Sequence, residues 1–350
     1  MGVLPKVRLV IAVAAVCCRK PAPPDVVDAA PVASAAPSTP VRTLAPCGIE
    51  PVALAQDATT LYLAEDKLGA SGSVITAIPK GGGAARVLYE GPDLVGPIAV
   101  SGKDVFVMRR SLEGGGVCRV EGGALHAVPI TAPPGPHQVL HDARTDAEVI
   151  SFDAGFDEMV VDDTSIFVAG KMRGEVGKVA RAGGKLEVLA REVAVTGLAA
   201  DATNVYFTTS GGVVGRVPKA GGAATTLASG RTSPHDVAVA DGTVAWLEGT
   251  IASSQGFVLR AGGAPEKLPL PADGKSASSL ALVGPDVFFL ASDEYGLDRV
   301  ARASSGVATV VRGPIAPSQF VVDGRTLYFV GLRGGHETTP TGVVGSVALP

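Results

Sequence analysis

Residues Gly197–Gly230 read GLAADATNVYFTTSGGVVGRVPKAGGAATTLASG, and this stretch decides the fold. It contains an apolar run (LAA), an Asp/Asn turn (DATN), an aromatic-centred strand (VYFT), a strand ending in Pro-Lys (GVVGRVPK), a Gly-Gly turn and a short last strand (ATTLAS). β-Branched and aromatic residues favour the strands. Asp, Asn and Gly supply the tight turns between them.

The pattern recurs. Its central second-strand positions are Tyr62, Phe106, Phe167, Tyr206, Ala245, Phe288 and Tyr328, spaced by 44, 61, 39, 39, 43 and 40 residues. A period near 40 residues with four strands per unit is the mark of a β-propeller. The expectation is therefore an all-β, seven-bladed β-propeller built from four-stranded antiparallel blades. The gap of 61 locates an insertion around Ile130–Phe152. It is Pro-rich at its start and charged in its middle, so it reads as a long loop.

The seventh copy stops after its third strand, GVVGSVALP. A three-stranded blade would leave an open edge, which invites aggregation. The missing strand is found at Val41–Pro46, VRTLAP, which has the pattern of ATTLAS (Ala224–Ser229). The ring is expected to close with this N-terminal strand completing the last blade, so the propeller runs from 41 to 350.

The first forty residues have a different character. Lys6 and Arg8 precede an apolar run of eight, Leu9–Val16, followed at once by Cys17 and Cys18. The run is too short to span a bilayer and suits a signal-peptide core over residues 1–18. A Cys directly after it resembles the bacterial lipoprotein signal, with Cys17 or Cys18 as the lipidated residue. Residues 19–40 are Pro/Ala-rich without apolar periodicity, and read as a disordered tether. The chain is thus expected to be exported to the periplasm or cell surface and lipid-anchored to a bacterial membrane, touching it only through that anchor. The ring itself is expected to be monomeric.

Composition excludes some functions. Net charge is −4, and removing Lys6 and Arg8 with the leader brings it to −6. There is no run of Lys or Arg, so nucleic-acid binding is not expected. Cys47 and Cys118 fall in distant parts of the ring, too far apart to bridge, and are expected to be unpaired. No Walker, G-x-S-x-G, H-E-x-x-H or C-x-x-C motif occurs.

In a propeller, one face carries the turns between strands one and two and between strands three and four. All of those are tight here. The other face carries the second-to-third loops and the blade connections, which are long and varied. Binding residues concentrate on such loops. Alignment on the central positions puts two columns at the channel mouth on that face: Val52/Ala53, Gly96/Pro97, Asp157/Glu158, Thr196/Gly197, His235/Asp236, Ser278/Ser279 and Ser318/Gln319. Asp157, Glu158, His235, Asp236 and Gln319 are the candidate ligand contacts. Glu158, His235 and Asp236 would be the catalytic groups if the chain is an enzyme, a lyase or hydrolase assisted by a divalent cation. The plainer reading is a set of solvated polar residues around a water-filled channel, with no cofactor. His137, His141 and His336 read as loop residues.

The blade pattern D-A-T-N-V-Y-F-T…R-V-P-K-A-G-G resembles exported bacterial propellers of the broad YWTD/NHL/TolB-like superfamily. The resemblance covers Val41–Pro350 and carries architecture. The YWTD core itself stands here as VYFT or LYLA. The resemblance implies a module that binds proteins, peptides or glycans. A minority of the superfamily are lyases or lactonases, streptogramin lyase among them, and its His/Glu set finds no match in this chain. Binding of a protein or small ligand on the long-loop face is the leading expectation.

Overall fold

The computed structural model describes residues 40–349 apart from 70, 111–115, 132–137, 142–147, 153–155, 172, 192–193, 251–252, 270–275, 293–297, 304–306, 312–314 and 334–340. Cys17, Cys18 and the tether lie outside the described residues, as do His137 and His336. The side chain of His141 is outside them too.

Seven four-stranded antiparallel sheets form the seven blades. Their innermost strands are Pro51–Gln56, Leu94–Ser101, Glu158–Val161, Val195–Ala200, Pro234–Ala240, Ser276–Val283 and Ile315–Asp323. Each of these touches the next, and the seventh touches the first, so they form a closed ring. The last blade takes its fourth strand from Arg42–Cys47, which pairs antiparallel with Thr341–Ala348 in the register Arg42↔Ser346 to Cys47↔Gly342. The expected closure is therefore present.

The core lies between blades. One cluster joins Phe167, Val176 and Leu189 of blade three to Leu198, Val205 and Phe207 of blade four. Another joins Leu61 and Leu63 of blade one to Ala45, Tyr328 and Val344 of blade seven. The central aromatics of the repeat are almost all in these seams; Phe106, Phe167, Tyr206 and Phe288 are essentially inaccessible.

The Pro-Lys and Ala-Arg endings of the third strands have a structural purpose. Lys80 of blade one lies 5.2 Å from the Tyr328 ring centre of blade seven and bonds Asp323 at 2.6 Å. Lys219 of blade four lies 5.1 Å from the Phe167 ring of blade three and bonds Asp162 at 2.8 Å. Arg181 of blade three lies 5.4 Å from the Phe106 ring of blade two and pairs with Asp104. A cation from one blade thus caps the central aromatic of the preceding blade and grips an Asp beside it. Each such latch contributes roughly 1–2 kcal/mol. Burial works to raise the Asp162 carboxyl, but Lys219 and the amides of Thr164 and Ser165 outweigh it and bring it down to about 2.

The insertion differs from expectation. Gln138–His141 and Glu148–Phe152 pair as an antiparallel two-stranded sheet, and Ile130–Thr131 runs parallel to Gly184–Lys185 of blade three. The apolar alternation in QVLH and EVISF suits a hairpin. The flanking Pro and charged residues masked it in the sequence.

Cys47 and Cys118 are free, as expected. Burial, with Glu65 nearby, pushes the Cys47 thiol up to about 12, and burial raises Cys118 as well. Both are inert thiols at neutral pH.

Deleting residues 40–47 removes the closing strand and exposes the edge of Thr341–Ala348. The shortened protein should melt at least ~10 °C lower in a thermal scan and should aggregate on heating. Melting unchanged from the full chain would refute this closure.

Candidate functional site at the channel mouth

The innermost strands share a device at the end that opens on the long-loop face. In six blades the pairing with the second strand slips there by one or two residues, a β-bulge. The unpaired residues are Val52, Gly96 and Pro97, Thr196, Asp236, Ser279 and Ser318. A bulge re-aims a side chain away from the regular pleat. The two aligned columns of the sequence are thus the bulge positions in every blade but the third, where Glu158 pairs regularly with Ala169.

The bulges come in two forms. In blades one, four and seven the extra residue is the earlier of the two columns. In blades five and six it is the later, and there Asp236 (φ 42°) and Ser279 (φ 51°) adopt the left-handed conformation. Ala194 (φ 51°) and Ser233 (φ 47°) do the same at the entries to blades four and five. A non-glycine residue in this region costs roughly 1–2 kcal/mol. Four of the five such residues described lie on this face. Backbone strain of this kind gathers at functional sites.

These bulges link neighbouring blades. Thr196 Oγ1 donates to the Pro234 carbonyl at 2.6 Å, and the Ser279 amide donates to the Asp236 carboxylate. Gly197 is required at its position, because a Cβ there would stand 2.9 Å from both the Asp236 nitrogen and Thr208 Oγ1. Blade four therefore offers no side chain at this point. The Asp236 carboxylate of blade five and Glu158 of blade three feel each other past it.

The electrostatics follow. Burial in the wall, then repulsion from Asp236 and Asp157, push the Glu158 carboxyl up to about 7, against the pull of Lys171. Asp236 is exposed, yet enough protein surrounds it for its carboxyl to feel desolvation. Desolvation raises its carboxyl, opposed by His235, the Ser279 amide and Lys171. Asp157 is fastened to the same loop as Lys171, since its Oδ2 accepts the Lys171 amide at 2.9 Å. The structure thus gathers Asp157, Glu158, His235 and Asp236 at one part of the mouth, together with Lys171 and Ser279.

His235 is held locally. Nδ1 faces the Ser233 carbonyl at 3.0 Å, and Nε2 lies 3.5 Å from Ser254 Oγ, which itself donates to the Thr250 carbonyl at 2.6 Å. Its ring is engaged by the loops of blade five, and it acts on Asp236 through its charge. Gln319 occupies the equivalent place in blade seven, paired with Val330, and no hydrogen bond joins its side chain to the acidic group among the described residues. Among the described residues no group of three or more His, Cys, Asp or Glu side chains is placed to hold a metal ion.

Lys171 and Ser279 take part in ways the sequence did not announce. Ser279 stands in the aligned column, and its contribution is a backbone amide, which residue type does not announce. Lys171 sits in a second-to-third loop, whose variable length keeps it out of any aligned column.

No protein-family model matches the chain, and no curated protein matches it. Its fold is similar to that of solved β-propellers. Virginiamycin B lyase from Staphylococcus aureus superposes with a TM-score of 0.58 at 15% identity, covering 87% of this chain and 98% of that one. YCF48 from Cyanidioschyzon merolae gives 0.57 at 10% identity, covering 88% and 98%. YCF48 bound to D1 peptide gives 0.59 at 9% identity, covering 91% and 99%. At these identities the likeness is one of fold.

Glu158 gives a pH signature. A carboxyl raised in the folded state holds a proton there that the unfolded chain releases near pH 4.5. Its contribution to stability is present below that pH, declines as pH rises towards about 7, and is constant above. Glu158→Gln should therefore match the native protein in urea midpoint near pH 4 and exceed it at pH 8. Equal midpoints at pH 8 would show that Glu158 is not perturbed.

Proposed function

We infer that this chain is an exported, membrane-tethered seven-bladed propeller that binds a protein or small ligand through its long-loop face. Asp157, Glu158, His235, Asp236 and Gln319 are its contacts at the channel mouth. The observation that carries this reading is the approach of Glu158, on the regular inner strand of blade three, to Asp236, on the strained bulge of blade five beside Gly197. Three carboxylates faced by one Lys and one His favour a ligand with a basic group, and the low-dielectric wall strengthens that attraction. YCF48 in its complex with D1 peptide is a propeller of similar fold that holds a peptide.

The export reading rests on Lys6, Arg8, Leu9–Val16 and the Cys17–Cys18 pair. Lipidation at one of these cysteines and the 19–40 tether would hold the ring at a bacterial membrane.

A second reading is supported by one fact. A carboxyl with a pKa of about 7 is suited to general acid–base work at neutral pH. In that reading Glu158 exchanges the proton and Asp236 stabilises developing positive charge, as in a lyase or hydrolase. The virginiamycin B lyase likeness is one of fold and assigns no residue here.

Two measurements test the proposal. In a bacterial host, labelled palmitate should be incorporated by the native chain and lost when Cys17 and Cys18 are both changed to Ser; labelling that persists refutes the anchor. A partner cross-linked to the native ring should be lost in the Asp157→Asn, Glu158→Gln, Asp236→Asn triple variant and kept in Lys103→Ala, on the opposite face. Equal capture by the triple variant would place the binding surface elsewhere.

A further inference from the structure

The latch cations sit three residues beyond the residue that pairs with their own blade's central position: Lys80 beyond Ala77, Arg181 beyond Lys178, Lys219 beyond Arg216. In blade five that place is Ala261, three beyond Val258. Two other blades carry no cation at this place, and the position in blade six, Ser305, lies outside the described residues. In blade seven Leu349 packs with Phe288 of blade six, and beside Gly122 of blade two, Gly123 bridges to Tyr89 of blade one. Between blades four and five no side chain among the described residues takes the place. A cavity of about 350 Å³ lies there, lined among others by Tyr206, Arg216, Leu227, Val244, Leu259 and Arg260.

The charges of this cavity are reversed from those of the latches. The Tyr206 hydroxyl donates to Asp201 Oδ2 at 2.8 Å, and Asp201 Oδ1 is taken by the amides of Thr203 and Asn204, both at 2.7 Å. The acidic group that would hold a latch cation is therefore occupied. Arg216 bonds the Tyr206 hydroxyl and pairs with no carboxylate among the described residues. Arg260 has one exposed ion pair, with Glu266 at 3.1 Å. What the cavity offers is two guanidinium groups beside an aromatic and aliphatic wall. Guanidinium binds carboxylate through paired N–H donors, and the leucine and valine surface accepts an apolar neighbour. The volume is at the lower end of ligand sites and suits one or two side chains.

We propose that this cleft, on the tight-turn face and separate from the channel mouth, binds an acidic peptide segment: a carboxylate held by Arg216 and Arg260, with an adjacent apolar side chain against Leu227, Val244 and Leu259. The carboxylate takes the place that a latch cation holds at other seams, with the sign of the charge inverted. Ala261 is the substitution that opens the slot.

Calorimetric titration of the full chain tests this with acetyl-Leu-Glu-Leu-amide, its Gln counterpart, acetate and inorganic phosphate. The Glu peptide should bind, and the Gln peptide should bind at least about tenfold more weakly. Arg216→Ala, at an exposed site, should weaken the Glu peptide by a similar factor without lowering the melting temperature. Ala261→Lys should abolish binding by filling the slot with a side chain. The Asp157/Glu158/Asp236 triple variant should bind the peptide normally, which separates this site from the mouth. Equal affinity for Glu and Gln peptides, indifference to both substitutions, or no binding by the native chain would overturn the proposal. Phosphate or acetate alone binding as tightly as the peptide would overturn its peptide specificity.

Discussion

The antiparallel pairing of Arg42–Cys47 with Thr341–Ala348 is the contact on which the other seams depend. Blades bury their apolar faces against neighbours, and six of the seven seams join blades that follow one another in the chain. The seventh joins the two ends. Bringing ends some three hundred residues apart together costs about 5 kcal/mol of chain entropy. The seam offsets this with strand pairing, with the Lys80 latch to Asp323 and Tyr328, and with Gln56 Nε2 donating to the Val322 carbonyl at 2.8 Å. Its fit is close: a Cβ on Gly342 would overlap the Gly48 carbonyl. Once it forms, every blade has two neighbours and the bulged ends of the inner strands are held in a ring.

Much of this was legible in the sequence because the repeat imposes one residue at each place. The aromatic period gave the blade count, and VRTLAP supplied the missing strand. The Asp of each first turn could be read as a turn residue; Asp57, Asp162 and Asp201 do accept the amides two and three residues on. The Pro-Lys ending was visible as pattern but not as contact, since its partners lie in the preceding blade. The hairpin Gln138–Phe152 was hidden because it occurs once and so has no second copy to reinforce its short apolar alternation.

The site was legible only in part, for a related reason. The columns containing Glu158 and Asp236 could be aligned, but whether they meet depends on what stands between them. Gly197 decides it. With no side chain there, blade five's backbone packs against blade four and a carboxylate comes within electrostatic reach of blade three. The phase of each bulge, which sets whether the first or second column residue is freed, has no signal in residue type. Thr196 and Ser279 are both small and polar, yet they are freed in different phases.

Regularity and function oppose each other in this ring. At a regular seam, Lys80, Arg181 or Lys219 satisfies an aromatic face and an Asp, and nothing is left to bind a ligand. Charge left uncompensated appears where the repeat is broken. At the mouth, blades three and five depart from small neutral residues, and Glu158 keeps a proton that an isolated carboxyl would lose. At the seam of blades four and five, Ala261 departs from the latch, and Arg216 pairs with no carboxylate among the described residues. Both departures lie next to blade four, whose own repeat follows the pattern most closely. The strain at Asp236 and Ser233 is offset by the packing of blade four against blade five, where Tyr206 and Val214 meet Val244 and Trp246.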